Sequence, residues 1–356
     1  MRMKSRILSI CVCGVLLLGG CSFHRLKQDL AKIDRLKPIS GDILNETEAC
    51  KPVVVVLWAI DNPEQSGYWV VEHEGAFRFW RNSGRYYLVA YEDYNADAIY
   101  QTHEAVGVFG GVIPQVIDLD REDGVVGVSV EMLPPGKVTL PPEVLEQSER
   151  ARRKDALQFD RKERLTTIDD PAFSQKNATL GLWSPYKFFE EVGMHIYFLE
   201  PFNPAKIPVL LVHGADGHPG NWRDVVGNMD RERFQPWLAF YPSGVRLGTL
   251  SNGLRMQIDA LRHVHQFNQM YVLAHSMGGL VSRDLVLGYG DSATSNTLSI
   301  PLYVTFATPW NGHEGAEMGV KHAPAVVPSW YDMVPGSEFI DFLFERSLPE
   351  ECQHHM

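Results

Sequence analysis

Cysteine is scarce in this 356-residue chain: there are five. Cys11 and Cys13 lie within the apolar N-terminal run and Cys21 closes it, leaving Cys50 and Cys352 in the body of the chain. No C-x-x-C pair and no Cys/His spacing points to a structural zinc. An oxidising compartment would permit a bridge between Cys50 and Cys352, but their wide separation does not establish one. Positive charge is also short. Lys and Arg total 33 against 44 Asp and Glu, a net charge of −11, and no basic run is interleaved with aromatics. Nucleic acid is therefore excluded as a partner. The apolar run at 7–18 is too short to span a bilayer. No internal repeat of solenoid type is present.

That N-terminal run has a different use. Arg2, Lys4 and Arg6 form a basic leader, the run follows, and Leu18-Gly19-Gly20-Cys21 has the form of a lipobox. Small residues before Cys21 let a processing peptidase approach, and the thiol takes the lipid. Residues 1–20 are expected to be a lipoprotein signal peptide, with Cys21 the lipidation site and a bilayer the partner. Several acyl chains, at about 0.8 kcal/mol per buried CH2, anchor a protein without a spanning helix. Ser22 follows the cysteine, which favours the outer membrane of the cell envelope over inner-membrane retention.

The most informative segment is Ala274-His275-Ser276-Met277-Gly278-Gly279, directly behind the apolar run Met270-Tyr271-Val272-Leu273. A buried strand that breaks into a small-x-Ser-x-Gly turn and then starts a helix is the layout of a nucleophile elbow. So tight a turn needs flanking positions almost free of side chain, which Ala274, Gly278 and Gly279 provide. Ser276 is the candidate nucleophile for acyl transfer. A second apolar run, 207–212, ends in His213-Gly214-Ala215-Asp216-Gly217. The tetrahedral intermediate of acyl transfer needs two backbone N–H donors, expected from Met277 and Ala215. His213, just before the glycine, is read as a packing residue that fixes the loop.

These residues resemble the α/β-hydrolases, and within them lipase- and esterase-like members. The similarity covers about 201–344 and includes PVLLVHG, NWRDVVGNMDRERFQPWLAFYPSG, YVLAHSMGGLVSRDLV and FATPWNGHEGAEMG. Several of these segments are similar to bacterial lipoprotein hydrolases and to the lipase-like domain of GPI-inositol-deacylase proteins. The resemblance implies a mostly parallel sheet, helices on both faces, and an active site at the strands' carboxyl ends. The alternation of apolar runs with the helical spacing of 252–267 and 278–287 agrees.

In that family the acid and the histidine follow the nucleophile on later strands. After Phe306 no further β-like run is evident, and 311–345 reads as a cap over the site. Three expectations stay open: a fragment lacking the end of the catalytic domain, a degenerate hydrolase, or a compact triad of Ser276, Asp332 and His354 or His355. Acid and base are therefore left unnamed.

Five short runs between 53 and 132, separated by Gly, Asn and Asp turns, have the pattern of a small β-sandwich. Domain boundaries are expected at 21–52 for a tether, 53–136 for the sandwich, 137–180 for a charged connector and 181–356 for the hydrolase domain. Within the sandwich, Asp93, Asn95, Asp97 and Glu104 match positions 1, 3, 5 and 12 of a calcium loop, although Ala98 stands where that loop needs Gly. Calcium there would stiffen the module; the hydrolytic chemistry itself requires no cofactor. The reading from sequence is a membrane-anchored serine hydrolase of carboxylic or lipid esters. The alternative is a non-catalytic binding or adhesion lipoprotein with a remnant hydrolase domain.

Overall fold

The structure is a computed structural model; it describes residues 22–47, 51–62, 66–71, 74–95, 99–142, 144–145, 164–290 and 298–356. Cys21, Cys50 and Asp97 lie outside the described residues. The chain forms two compact units. One draws its described residues from Met1–Ile33, Glu163–Arg255 and Phe267–Met356, the other from Asp34–Lys162 and Met256–Gln266.

The smaller unit is built on two sheets. Strands β1 (Lys37–Leu44), β4 (Gly75–Arg81) and β8 (Val125–Glu131) form one, in the order β4-β1-β8. Strands β2 (Val53–Ala59), β3 (Gly67–Val71), β5 (Arg85–Glu92) and β6 (Val106–Val108) form the other, with β7 (Ile117–Asp118) paired to β5. Every residue of β2 is buried, because the strand is covered on both sides. Val53, Val55 and Leu57 face the core between the sheets, while Val54, Val56 and Trp58 face a second cluster that includes Ala260. A continuous apolar run is what a doubly covered strand requires. The expected sandwich is therefore present, but the expected tether at 21–52 is corrected. Residues 22–33 are helix α1 of the larger unit, and 37–44 are a sheet strand.

The larger unit carries a seven-stranded sheet in the order β15-β14-β13-β11-β12-β10-β9. Its strands are β9 (Arg164–Leu165), β10 (His195–Phe198), β11 (Ile207–Val212), β12 (Phe234–Phe240), β13 (Gln269–His275), β14 (Ser299–Phe306) and β15 (Gln353–His355). Pairing is parallel throughout except between β10 and β12. Its helices are α2 (Gln175–Trp183), α3 (Pro185–Glu191), α4 (Arg223–Asn228), α6 (Met277–Gly290), α7 (Glu314–His322), α8 (Pro328–Asp332) and α9 (Glu338–Glu345). Helix α5 (Leu247–His265) divides between the units at Arg255. Leu247, Leu250, Leu254, Ile258 and Leu261 recur every three or four residues along it and are all buried.

Two further expectations are corrected here. The larger unit takes in β9 and α2, so it begins well before residue 181. A further strand does follow Phe306: residues 311–345 lead from β14 into β15, which pairs with it in parallel. Parallel strands cannot be joined by a hairpin and need a crossover, and helices α7, α8 and α9 make it.

Candidate active site

Ser276 follows the last residue of β13 and has φ of 52°. A left-handed backbone costs a residue with a Cβ about 1–2 kcal/mol and persists only where its surroundings hold it. Here the Ser276 N–H donates to the Phe306 carbonyl at 2.8 Å, and the Ser276 carbonyl accepts from Gly279 N–H at 2.9 Å. The turn therefore hangs between the neighbouring strand end and the first turn of α6. The glycines are required by contact. A Cβ on Gly278 would lie 2.4 Å from the His213 carbonyl oxygen and 2.6 Å from that of Val212. One on Gly214 would lie 2.8 Å from Ser276 Cβ and 3.3 Å from its hydroxyl oxygen. The elbow and the 213–217 loop are thus pressed together, with Ser276 itself only half-buried.

The two expected oxyanion donors adjoin this contact in sequence, Met277 after Ser276 and Ala215 after Gly214. Met277 is the first residue of α6, where no carbonyl lies one turn behind to accept its N–H. Ala215 is exposed at the next turn. The hydrogen bonds of that turn use the amides of Gly217, to the Gly214 carbonyl at 3.2 Å, and of Asp216, to Ser243 Oγ at 3.0 Å. The Ala215 amide takes no part in these two bonds. Sequence reading missed the residues that hold this turn. Asp216 is left-handed (φ 53°), its carboxylate accepts from Thr179 Oγ1 at 2.9 Å, and its carbonyl accepts from Gln175 Nε2 at 3.1 Å. Helix α2 thereby braces the loop, a long-range clamp that no local pattern announces.

His213 is structural, as expected. Its ring stacks on Tyr241 at 4.0 Å and its Nδ1 lies 2.8 Å from the Gly214 carbonyl, which fixes a neutral tautomer with the proton on Nδ1. Tyr241 O–H donates to the His213 carbonyl. Burial pushes the imidazole pKa down to about 4. An unfolded His takes up a proton near pH 6.5, so protonation favours the unfolded chain between those values. Stability should fall as pH drops from about 6.5 to about 4, by an amount of order 3 kcal/mol from this residue. Urea midpoints across that range would measure it, and His213→Phe should flatten the profile.

The compact triad is not formed. Asp332 is buried and accepts the N–H of Leu247, the first residue of α5, at 2.6 Å, while its other oxygen pairs with Arg246 at 2.8 Å. It is a helix cap. Burial raises its pKa, opposed by that backbone bond and by Arg246. His354 sits opposite Tyr303 and, through it, opposite Val272, so Ser276 lies four residues further along and two strands across. At about 3.3 Å per residue and 4.8 Å per strand, the separation is about 16 Å. His354 instead stacks on Tyr303 at 4.6 Å and its Nε2 bonds Thr305 Oγ1 at 3.0 Å. His355, one residue nearer, is still about 14 Å away on the same spacings. Trp310 packs edge-on against Phe344 and His354, and Trp330 against Trp183, so both belong to packed clusters.

The calcium expectation is not met at the two carboxylates that the structure describes. Asp93 Oδ2 lies 2.8 Å from His263 Nε2, both side chains being buried. The two oxygens of Glu104 accept the N–H groups of Tyr94, at 3.1 Å, and Gln101, at 2.7 Å. These acids bind their own loop and helix, and Asn95 is exposed. Among the described residues, no group of three or more His, Cys, Asp and Glu converges to hold a metal. Cys352 is a free thiol whose pKa burial pushes up to about 11.

No protein-family model matches the chain, and no curated protein does. Solved structures similar to it include hydrolases. A Bacillus licheniformis lipase in its mature form shares 15% identity at a TM-score of 0.37, covering 45% of this chain and 69% of its own. A carboxylesterase structure from the thaumarchaeon Nitrososphaera gargenis shares 14% at 0.28, covering 36% and 50%. The 2-hydroxy-6-oxo-6-phenylhexa-2,4-dienoate hydrolase of Rhodococcus sp. strain RHA1 shares 20% at 0.26, covering 32% and 42%.

Proposed function

We propose that the protein is a serine hydrolase of carboxylic esters, anchored to a membrane through acylated Cys21. The observation that carries the reading is the left-handed Ser276 at the carboxyl end of a parallel strand, open on one side and backed by two glycines that nothing larger can replace. In the acyl-transfer step, Ser276 Oγ attacks the ester carbonyl carbon, and the negative oxygen so formed is held by the N–H groups of Met277 and Ala215. The Ser276 hydroxyl proton passes to solvent water, the C–O bond to the alcohol breaks as the departing alkoxide takes a proton from water, and the acyl-serine left behind is hydrolysed. His213, His354 and His355 do not take the serine proton, since the first is bound in the loop and the others are strands away.

Among the described residues no helix is long and apolar enough to cross a membrane; attachment in this reading is through the lipid on Cys21. Turnover of a p-nitrophenyl ester by purified protein tests the catalytic half. Ser276→Ala should lower the rate by at least about a thousandfold. Equal rates for the two proteins would refute the assignment.

A further inference from the structure

We infer that the rim of the hydrolase unit that carries Ser276 is held against the bilayer in which Cys21 is anchored, so that the substrate is a long-chain acyl ester drawn from that membrane. The inference rests on the proposed lipidation and hydrolase reading, and it comes from the packing of α1. The described residues of this helix begin at Ser22, next to Cys21 in sequence, and they are packed onto the unit. Leu26 is fully buried against Leu182 and Val327. Asp29 accepts the N–H groups of Tyr186 and Lys187 at the start of α3, at 2.6 and 3.3 Å. Burial raises the Asp29 pKa while those bonds oppose the rise. With α1 docked, whatever surrounds Phe23 lies within two residues of the anchor and is the part of the unit carried to the headgroups.

Those surroundings lead to the active site. The Phe23 ring meets Trp183 at 5.3 Å, and Trp183 meets Trp330 at 5.8 Å. Trp183 ends α2, whose Gly181 carbonyl accepts the N–H of Gly244 at 3.0 Å. Gly244 follows Ser243, the residue that holds Asp216 in the oxyanion turn, and Gly214 of that turn abuts Ser276. Gly214, Asp216, Ser243, Gly244 and Ser276 all follow the carboxyl ends of β11, β12 and β13, and Gly181 is bonded there. Anchor and nucleophile therefore share one edge of the sheet.

The chemistry of the anchor end suits a lipid surface. Three half-buried aromatic rings are of the kind that sit at headgroup level. Arg25 and Lys27 are exposed on the first turns of α1 in a chain of net charge −11, a local reversal that attracts anionic lipid. Exposed Glu190 pairs with Lys32, ten residues and about 15 Å along the helix from Ser22 at 1.5 Å per residue.

The test uses full-length acylated protein with Cys50 and Cys352 replaced by Ser, reconstituted in vesicles of neutral and anionic phospholipid. One reporter is Pro324→Cys, an exposed position next to Ala325, which packs against the Leu26 cluster. The other is Ala205→Cys, exposed just before β11 on the opposite edge of the sheet. Labelling by a membrane-impermeant maleimide is compared between vesicles and detergent. The inference predicts at least about tenfold slower labelling at Pro324→Cys in vesicles and no change at Ala205→Cys. An inserted Gly/Ser linker of about 20 residues between Cys21 and Ser22, with a reach of about 25 Å, should restore the rate at Pro324→Cys. Equal rates at Pro324→Cys in vesicles and detergent, or equal protection at both positions, would overturn it, as would failure of Cys21 to incorporate labelled palmitate. Ser276 is titrated with a fluorophosphonate in the same samples. Protection without Ser276 labelling leaves the orientation standing and removes the ester substrate; Ser276 labelling without protection does the reverse.

Discussion

Replacing Gly278 by Ala should cost about 3–5 kcal/mol of stability, or leave the larger unit unable to fold, although only one methyl group is added. The new carbon would stand 2.4 Å from the His213 carbonyl oxygen and 2.6 Å from that of Val212. Both are backbone atoms at the end of β11, which hydrogen bonds hold between β12 and β13, so neither can swing aside as a side chain would. Gly227 is the matched control: it lies on α4, where a Cβ meets nothing within 4 Å. Gly227→Ala should be neutral or slightly stabilising, since Ala is the better helix former by about 0.8–1 kcal/mol. Chemical denaturation of the two variants would decide the matter. Similar midpoints for both would mean that the elbow and the 213–217 loop are not pressed together as described.

The second large effect belongs to Asp332. Removing its carboxylate leaves the buried N–H of Leu247 without an acceptor and Arg246 without its partner, a loss of about 2–3 kcal/mol. Asp332→Asn keeps an acceptor for Leu247 and should cost less than Asp332→Ala. The distinguishing readout is catalytic. If Asp332 only caps α5, folded Asp332→Asn retains its ester turnover, whereas a catalytic acid replaced by its amide loses orders of magnitude. A drop of that size in folded Asp332→Asn would restore the compact triad that the sheet register argues against.

How far the sequence revealed this molecule depends on how each element earns its shape. Strands β2 and β11 declare themselves because they are buried almost throughout, and a continuous apolar run has few other uses. The elbow was legible for a related reason, since Ala274, Gly278 and Gly279 are the trace that a tight turn leaves in composition. Strand β15 was not legible. Gln353-His354-His355 has no strand pattern of its own and becomes a strand only because Leu302, Tyr303 and Val304 offer it a free edge. Strands β9 and β10, of two and four residues, are short for the same reason. The apolar face of α1 was visible in Leu26, Leu30 and Ile33, yet its docking depends on Asp29 reaching Tyr186 and Lys187, more than 150 positions away. The same blindness hid Asp216, Ser243 and Thr179 as the clamp on the 213–217 turn, and Asp332 as the cap of α5. The apparent calcium loop shows the converse, a local spacing of oxygens whose described carboxylates the fold commits to His263 and to backbone N–H groups.

Whether the hydroxyl at the elbow reacts is measured most directly by treating the folded protein with a fluorophosphonate and mapping the adduct by peptide mass spectrometry. Covalent phosphonylation at Ser276, absent from Ser276→Ala and from heat-unfolded protein, is the predicted result. An unmodified Ser276 in folded protein, under conditions that label a known serine hydrolase to completion, would contradict it.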